Sequence, residues 1–202
     1  MIAILDYGSG NLRSAQRAFA TTGEVVEVTS DLAVCLEADG LVVPGVGAFQ
    51  SCMSGLLATH GDEIIRARLA KDRPTLGICI GMQILFETGL EPSRASGGST
   101  AGVGIWPGSI SKLTAPILPH MGWNTVKPDE GSMLFRGIED QSFYFVHSYA
   151  ATESVGSFQA WTEYGQRFLA AVEDGALCAT QFHPEKSGAV GLRLIKNWVA
   201  TL

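Results

Sequence analysis

Three short segments of this 202-residue chain have residue types and spacings that could support acyl transfer: Pro-Gly-Val-Gly at 44–47, Gly-Ile-Cys-Ile-Gly at 77–81 and Phe-His-Pro-Glu at 182–185. Cys79 stands between Gly77 and Gly81, where an apolar run ends and a helix can begin. A sharp strand-to-helix turn would hold Cys79 in a strained conformation, and glycines two residues to either side remove Cβ atoms that would otherwise clash. This is the cysteine counterpart of the G-x-S-x-G nucleophile elbow. A thiol at a helix N-terminus also sees free backbone N–H groups and the positive end of the helix dipole, both of which favour the reactive thiolate. The same pattern fits a buried cysteine framed by glycines for tight strand–helix packing, and the motif alone does not choose between the two.

A nucleophile of this kind needs a base. His183 and Glu185 stand two apart at the end of another apolar run. In extended geometry their side chains point the same way, although Pro184 restricts the backbone between them. Glu185 could hold the ring tautomer while the other ring nitrogen takes the thiol proton. Taken alone, a histidine and a glutamate flanking a proline are ordinary surface residues; the cysteine elbow is what gives them a role. Gly45, Val46 and Gly47 form the third loop. There the Gly47 N–H, together with the N–H of Ile80, could face the oxyanion of a tetrahedral intermediate, since glycine lets the main chain approach a ligand closely. A tight turn after a buried strand would look the same.

Other chemistries find less support. The segment Gly-Ser-Gly-Asn-Leu-Arg at 8–13 begins like a dinucleotide fingerprint, but Arg13 occupies the place of the third glycine, so no nicotinamide or flavin cofactor is expected. The four cysteines include no C-x-x-C pair and the four histidines are scattered, which gives no argument for a metal. Fourteen basic residues against twenty acidic ones, a formal charge of −6, lack the electrostatic footprint of a nucleic-acid or lipid-binding protein. The first apolar run is far too short to span a membrane and no basic residue precedes it, so the expected location is cytoplasmic.

The elements that must position these loops are legible as alternating patterns. Apolar runs at 1–8, ended by turn residues, at 24–30, at 40–49, broken by Pro44 and Gly45, and at 74–81 read as strands; residues 11–23 and 62–72 have helical spacing, with Leu12, Ala15, Ala18 and Phe19 on one face and Gly23 as a stop. Strands alternating with helices imply a mostly parallel central sheet flanked by helices. The second half offers strand-like runs at 143–151, 157–164, 168–172 and 176–182 in close succession, with Glu-Asp-Gly before Ala176 as a hairpin turn. These are expected to add antiparallel strands to the sheet. Residues 91–102 read as a glycine- and serine-rich loop, and 191–202 as a closing helix. The expected fold class is α/β in a single domain spanning residues 1–202, since neither half could bury a good core alone.

The three loops, in the order Pro-Gly-Val-Gly, Gly-Ile-Cys-Ile-Gly-Met-Gln and Phe-His-Pro-Glu, resemble the class I, triad-type glutamine amidotransferases along nearly the whole chain. Within them, Asp-Tyr-Gly-Ser-Gly-Asn-Leu-Arg-Ser at 6–14, Pro-His-Met-Gly-Trp-Asn at 119–124, Phe-Tyr-Phe-Val-His-Ser-Tyr at 143–149 and Phe-His-Pro-Glu-Lys-Ser at 182–187 are similar to the glutaminase subunits of imidazole glycerol phosphate synthase. The resemblance implies hydrolysis of L-glutamine by a Cys79, His183, Glu185 triad through a thioester. It also implies delivery of ammonia to a separate cyclase subunit, which converts PRFAR to imidazole glycerol phosphate and AICAR. Gln83 is then expected to contact the substrate glutamine, Ser148 to help bind its amino-acid end, and His120, Met121, Trp123, Asn124 and Lys186 to face the cyclase. No cofactor is implied. Ala179 and Thr180 depart from the Gly-Val common in the family, and a buried Thr180 hydroxyl would need a partner.

Overall fold

The computed structural model describes residues 1–92 and 97–202. Its first half runs β1 (Ile2–Leu5), α1 (Leu12–Ala20), β2 (Val26–Thr29), α2 (Leu32–Glu37), β3 (Gly40–Gly45), α3 (Phe49–Ala58), α4 (Gly61–Leu69) and β4 (Thr75–Cys79). The second half comprises α5 (Ile80–Gln83), β5 (Phe86–Gly89), β6 (Thr100–Ala101), β7 (Trp106–Lys112), β8 (His120–Thr125), β9 (Lys127–Pro128), β10 (Ser142–His147), β11 (Tyr149–Ala150), β12 (Phe158–Tyr164), β13 (Gln166–Asp174), β14 (Leu177–Thr180), a 3-10 turn at Pro184–Lys186, and α6 (Gly188–Val199).

The four strands of the first half are parallel, in the spatial order β2, β1, β3, β4. The chain moves one way from β1 to β2, then crosses back past β1 to β3 and on to β4. Because such crossovers are right-handed, the reversal sends α1 to one face and α2, α3 and α4 to the other. The packing agrees: α1 lies against α6, while α2 and α3 lie against α4. Strands β1, β3 and β4 are buried at every residue, as strands covered on both faces must be. Helix α1 starts where the Asn11 side chain accepts from the Ser14 N–H, and it buries Ala15, Ala18 and Phe19. Phe19 meets the Trp198 ring of α6 edge-on at 5.7 Å. The buried Arg68 of α4 donates to the carbonyls of Cys35, Ala38 and Pro74 at 2.9, 2.8 and 2.7 Å, satisfying backbone where α2 ends and β4 begins.

In the second half, strands β5, β7, β8 and β9 were not anticipated, and three of the expected regions are arranged differently. β14 joins the sheet parallel to β4, not antiparallel; only β13, β12 and β9 then continue it antiparallel, giving the order β2-β1-β3-β4-β14-β13-β12-β9. The β13–β14 hairpin does turn at the expected Gly175, whose φ is +60°. The run at 143–151 is split: β10 pairs with β8 in a two-stranded sheet, while β11 joins β7, β5 and β6 in another. β10 alternates, with Phe143, Phe145 and His147 buried and the residues between them less so, the pattern of a half-covered strand. Finally, within the loop expected at 91–102, Thr100 and Ala101 form strand β6 against β5, and residues 93–96 lie outside the described residues. Helices α2 and α3 were not anticipated; α2 has six residues, and α3 carries Ser51, Ser54 and Gly55, which dilute its helical pattern. Among the described residues, no helix is long and apolar enough to cross a membrane.

Candidate active site

Sheet register brings the three loops together. β3, β4 and β14 are neighbouring parallel strands, with Gly45 opposite Cys79 and Thr180 opposite Ile78. Their carboxyl ends therefore release residues 45–47, the Cys79 turn and the Gln181–His183 segment side by side, where ligands of open parallel sheets bind. Cys79 has φ +57° and ψ −110°, a strained backbone for a residue with a side chain. The glycines around it are required by contact: a Cβ on Gly81 would lie 1.8 Å from the Val43 oxygen, and one on Gly77 would lie 2.7 Å from the Gly81 oxygen. The helix that follows is shorter than expected. α5 has four residues, so the macrodipole adds little, and what Cys79 gains is the free N–H of Ile80 at the first position of that turn.

His183 is fixed by backbone and by aromatic packing. Its N–H donates to the Tyr144 carbonyl at 2.9 Å, and the Ser187 hydroxyl donates to the His183 carbonyl at 2.7 Å while accepting from the Tyr144 N–H at 3.0 Å. The neighbouring Phe182 stacks on Phe143 with ring centroids 4.2 Å apart, tying the segment to β10. The chain does not stay extended through Pro184; it enters a 3-10 turn, and the Glu185 side chain curls back to place Oε1 2.8 Å from His183 Nδ1. Both side chains are nearly sealed from solvent, at 2% and 4% exposure. Nε2 of His183 is buried and has no hydrogen-bond partner. Burial would lower the His183 pKa, but the Cys79 sulfur beside the ring and the Glu185 carboxylate outweigh it and hold the value up to about 9. The ring is thus oriented by a carboxylate on one side with an open nitrogen on the side of the thiol.

Cys79 and His183 border a cavity of about 390 Å³ whose walls include Val46, Gly47, Ile80 and Gln83, with Ser148 and Lys186 also on it. The Gln83 amide donates to the Tyr149 carbonyl at 2.8 Å and to Gln181 Oε1 at 2.9 Å, and Gln181 Nε2 lies 3.8 Å from the Cys79 sulfur. Gln181 escaped the sequence reading; its one signal is a polar residue inside an apolar run, directly before Phe182. Glu91 also borders the cavity, with Oε2 accepting from the Phe49 N–H at 2.8 Å at the start of α3, where Ala48 offers no capping side chain. Nothing in the local sequence marks it. Burial and the Glu91 charge raise the pKa of the nearby Tyr149 phenol.

The segment 44–47 is held from below by Tyr7 and Ser9, which lie between β1 and α1, and by Cys52 of α3. The Val46 N–H donates to the Ser9 hydroxyl at 3.1 Å, and the Val46 carbonyl accepts from the Ser9 hydroxyl at 2.9 Å and from the Cys52 thiol at 3.3 Å. The Tyr7 hydroxyl donates to the Pro44 carbonyl. The Thr180 hydroxyl, which the sequence left in need of a partner, donates to the Phe182 carbonyl at 3.0 Å.

The residues grouped at 120–124 divide between two faces of β8. Met121 and Trp123 are 61% and 59% exposed, whereas His120 is buried and points inward, so it is no surface contact. Lys186 is exposed on the 3-10 turn beside the cavity. Among the described residues, no group of three or more His, Cys, Asp or Glu side chains could hold a metal ion.

Residues 3–202 match the family described as Glutamine amidotransferase class-I. The chain is 55% identical over 205 residues to the imidazole glycerol phosphate synthase subunit HisH of Mycolicibacterium paratuberculosis, covering 100% of this chain and 98% of that protein. It is 56% identical over 211 residues to the subunit of the same name from Corynebacterium diphtheriae, covering 100% of this chain and 99% of that one. Among solved structures, one described as a glutamine amidotransferase superposes with a TM-score of 0.76 at 14% identity, covering 98% and 97% of the two chains. PurLQS from Thermotoga maritima superposes at 0.70 with 16% identity, covering 99% and 97%; at these identities the two structures speak to fold alone. The elbow, the oriented histidine and the full-length matches together assign the chain: it belongs to the class-I glutamine amidotransferase family and, within it, to the HisH subunits of imidazole glycerol phosphate synthase.

Proposed function

We propose that this chain is the glutaminase subunit of an imidazole glycerol phosphate synthase, hydrolysing L-glutamine to L-glutamate and ammonia and passing the ammonia to a cyclase subunit. The proton shared by Cys79 and His183 resides on Nε2, opposite the Glu185 carboxylate, and the Cys79 thiolate attacks the side-chain amide carbonyl of glutamine. The tetrahedral intermediate collapses as His183 returns its proton to the departing nitrogen, releasing ammonia and leaving a γ-glutamyl thioester on Cys79. Water, deprotonated by His183, then releases glutamate and frees Cys79. Glu185 keeps the Nδ1 proton in place and stabilises the imidazolium in both halves.

The oxyanion would be met by the N–H of Ile80 and that of Gly47. In a trans peptide the Gly47 N–H points opposite to the Val46 carbonyl, which is turned toward Ser9 and Cys52, and Gly47 itself walls the cavity. Gln83 and Ser148 are suited to bind the substrate, and the Glu91 carboxylate gives the cavity an acidic group for an α-ammonium. Met121 and Trp123, large apolar side chains side by side on the outer face of β8, with Lys186 on the cavity wall, would meet the cyclase, whereas Asn124 shares the inward face of β8 with His120. The product ammonia then needs to travel only from Cys79 past this rim.

The observation that carries the reading is the buried, unpartnered Nε2 of His183, held on its other side by Glu185 and set beside a cysteine on a strained elbow. The test is covalent capture by 6-diazo-5-oxonorleucine with the cyclase present. A single adduct on Cys79 supports the reading; intact Cys79 after prolonged exposure would leave the chain a scaffold.

A further inference from the structure

Two buried histidines, His120 and His147, take no part in the chemistry above, yet they lie between the outer strand β8 and the wall of the nucleophile's cavity. Their hydrogen bonds have only one possible direction. His147 Nδ1 is 3.0 Å from the Tyr149 carbonyl, which can only accept, so Nδ1 carries the proton. Burial pushes the pKa of His147 down to about 3 and that of His120 down to about 4, so each ring is neutral and carries one N–H. His147 Nε2 is therefore an acceptor, and the atom 3.1 Å away, His120 Nδ1, must donate to it. That leaves His120 Nε2 to accept from the Asn124 amide at 3.4 Å, a nitrogen that also donates to the Glu163 carbonyl at 2.9 Å.

The run continues beyond the histidines. The Tyr149 carbonyl that receives the His147 proton also receives the Gln83 amide, Gln83 holds Gln181, and Gln181 reaches the Cys79 sulfur. The His120 ring cannot tilt freely within this run, because Tyr164 and Phe145 stack against it with centroids 4.1 and 4.9 Å away. His120 and Asn124 project inward from the strand whose outward residues are Met121 and Trp123.

We propose that His120 and His147 are positioning residues, coupling the placement of β8 to the wall of the nucleophile's cavity through the single-file hydrogen bonds from Asn124 to the Cys79 sulfur. A partner pressing on Met121 and Trp123 moves the strand that carries His120. That movement passes along the donor order to the Tyr149 carbonyl, which also accepts from Gln83 on its other side, and through Gln83 to Gln181 beside the thiol, a contiguous physical link of the kind coupling requires. The inference rests on the proposed docking of the cyclase on this face. A purely structural role, keeping buried imidazoles satisfied, would affect stability but not the response to the partner.

The experiment compares the wild-type synthase with His120→Phe, which keeps the ring stack and removes both nitrogens, and His120→Gln, which can still donate and accept. Glutaminase turnover is measured with and without the cyclase's nucleotide substrate, alongside the melting temperature and ammonium-driven cyclase activity. His120→Phe is expected to keep ammonium-driven activity and to lose about ten-fold or more of the substrate-induced stimulation, with His120→Gln regaining most of it. Full stimulation in His120→Phe, or equal loss in both variants, overturns the proposal. If His120→Phe does not fold, ¹⁵N-histidine spectra of the wild-type synthase decide: both rings must be protonated at Nδ1 between about pH 5 and 8, and an Nε2–H on either overturns the relay. A wild-type synthase without stimulation would refute the docking reading instead, and the tautomers would still test the relay.

Discussion

Replacing Gly81 by alanine perturbs the elbow without touching any reacting group. The added methyl would sit 1.8 Å from the Val43 oxygen and 2.9 Å from the Val43 carbonyl carbon, backbone atoms of the buried strand β3 with no rotamer in which to yield. An ordinary C···O separation is about 3.3 Å, so α5 and β3 would have to part by about 1.5 Å. Overpacking of this kind costs about 1–3 kcal/mol, and contact with fixed backbone belongs at the upper end. At about 2–4 °C per kcal/mol for a chain of this length, the melting temperature should fall by roughly 6–12 °C. Catalysis should suffer more than stability, because the displaced segment supplies the Ile80 N–H and follows Cys79 directly, and a misplacement of about 1 Å costs about 100-fold in rate. The assay is glutamine-dependent kcat/KM in the assembled synthase, with ammonium-driven activity as the internal control and calorimetry for the melting temperature. A Gly81→Ala enzyme within about two-fold of wild-type kcat/KM, with an unshifted melting temperature, would refute the claim that this contact requires glycine.

Two further predictions concern the histidine. Glu185→Gln should leave His183 nearly in place but remove the charge that supports an imidazolium, lowering glutamine-dependent kcat by about 100- to 10,000-fold with ammonium-driven activity intact; a loss smaller than ten-fold would deny Glu185 its role. The second follows from linkage. The His183 pKa of about 9 in the folded chain lies above its ordinary 6.5, so the folded state binds this proton more tightly than the unfolded state. The resulting stability is fully present below pH 6.5 and is lost as pH rises toward about 9, at a slope of up to about 1.4 kcal/mol per pH unit. Urea denaturation of wild type and His183→Gln from pH 6 to 10 should show the wild-type advantage shrinking across that window, and a constant difference would contradict the raised value.

The parts of the site that were legible in the sequence are those whose chemistry requires rare local geometry. Cys79 between two glycines and His183 two residues before Glu185 each fit a bland alternative, and it is their joint presence that points to a nucleophile and an oriented ring. Direction and facing were not legible. The run at 176–182 reads the same whether it pairs parallel or antiparallel, and only the packing of the whole sheet sets β14 beside β4, which is what carries His183 to Cys79. His120 likewise sits in a motif that reads as one surface, yet strand alternation turns it inward while Met121 and Trp123 face out. Glu91 and Gln181 were missed because their roles exist only through partners far along the chain, Phe49 for the first and Gln83 and Cys79 for the second. The short α5 escaped notice for a related reason: Gly77 and Gly81 announce the turn after β4, but nothing in Ile80–Gln83 says that the helix will last one turn.

Whether this chain supplies ammonia from glutamine is tested by Cys79→Ala in the assembled synthase, assayed for imidazole glycerol phosphate with either glutamine or ammonium as the nitrogen source. Glutamine-driven synthesis should fall to background while ammonium-driven synthesis stays at the wild-type rate; retention of glutamine-driven synthesis, or equal loss of both, would contradict a thioester mechanism at Cys79.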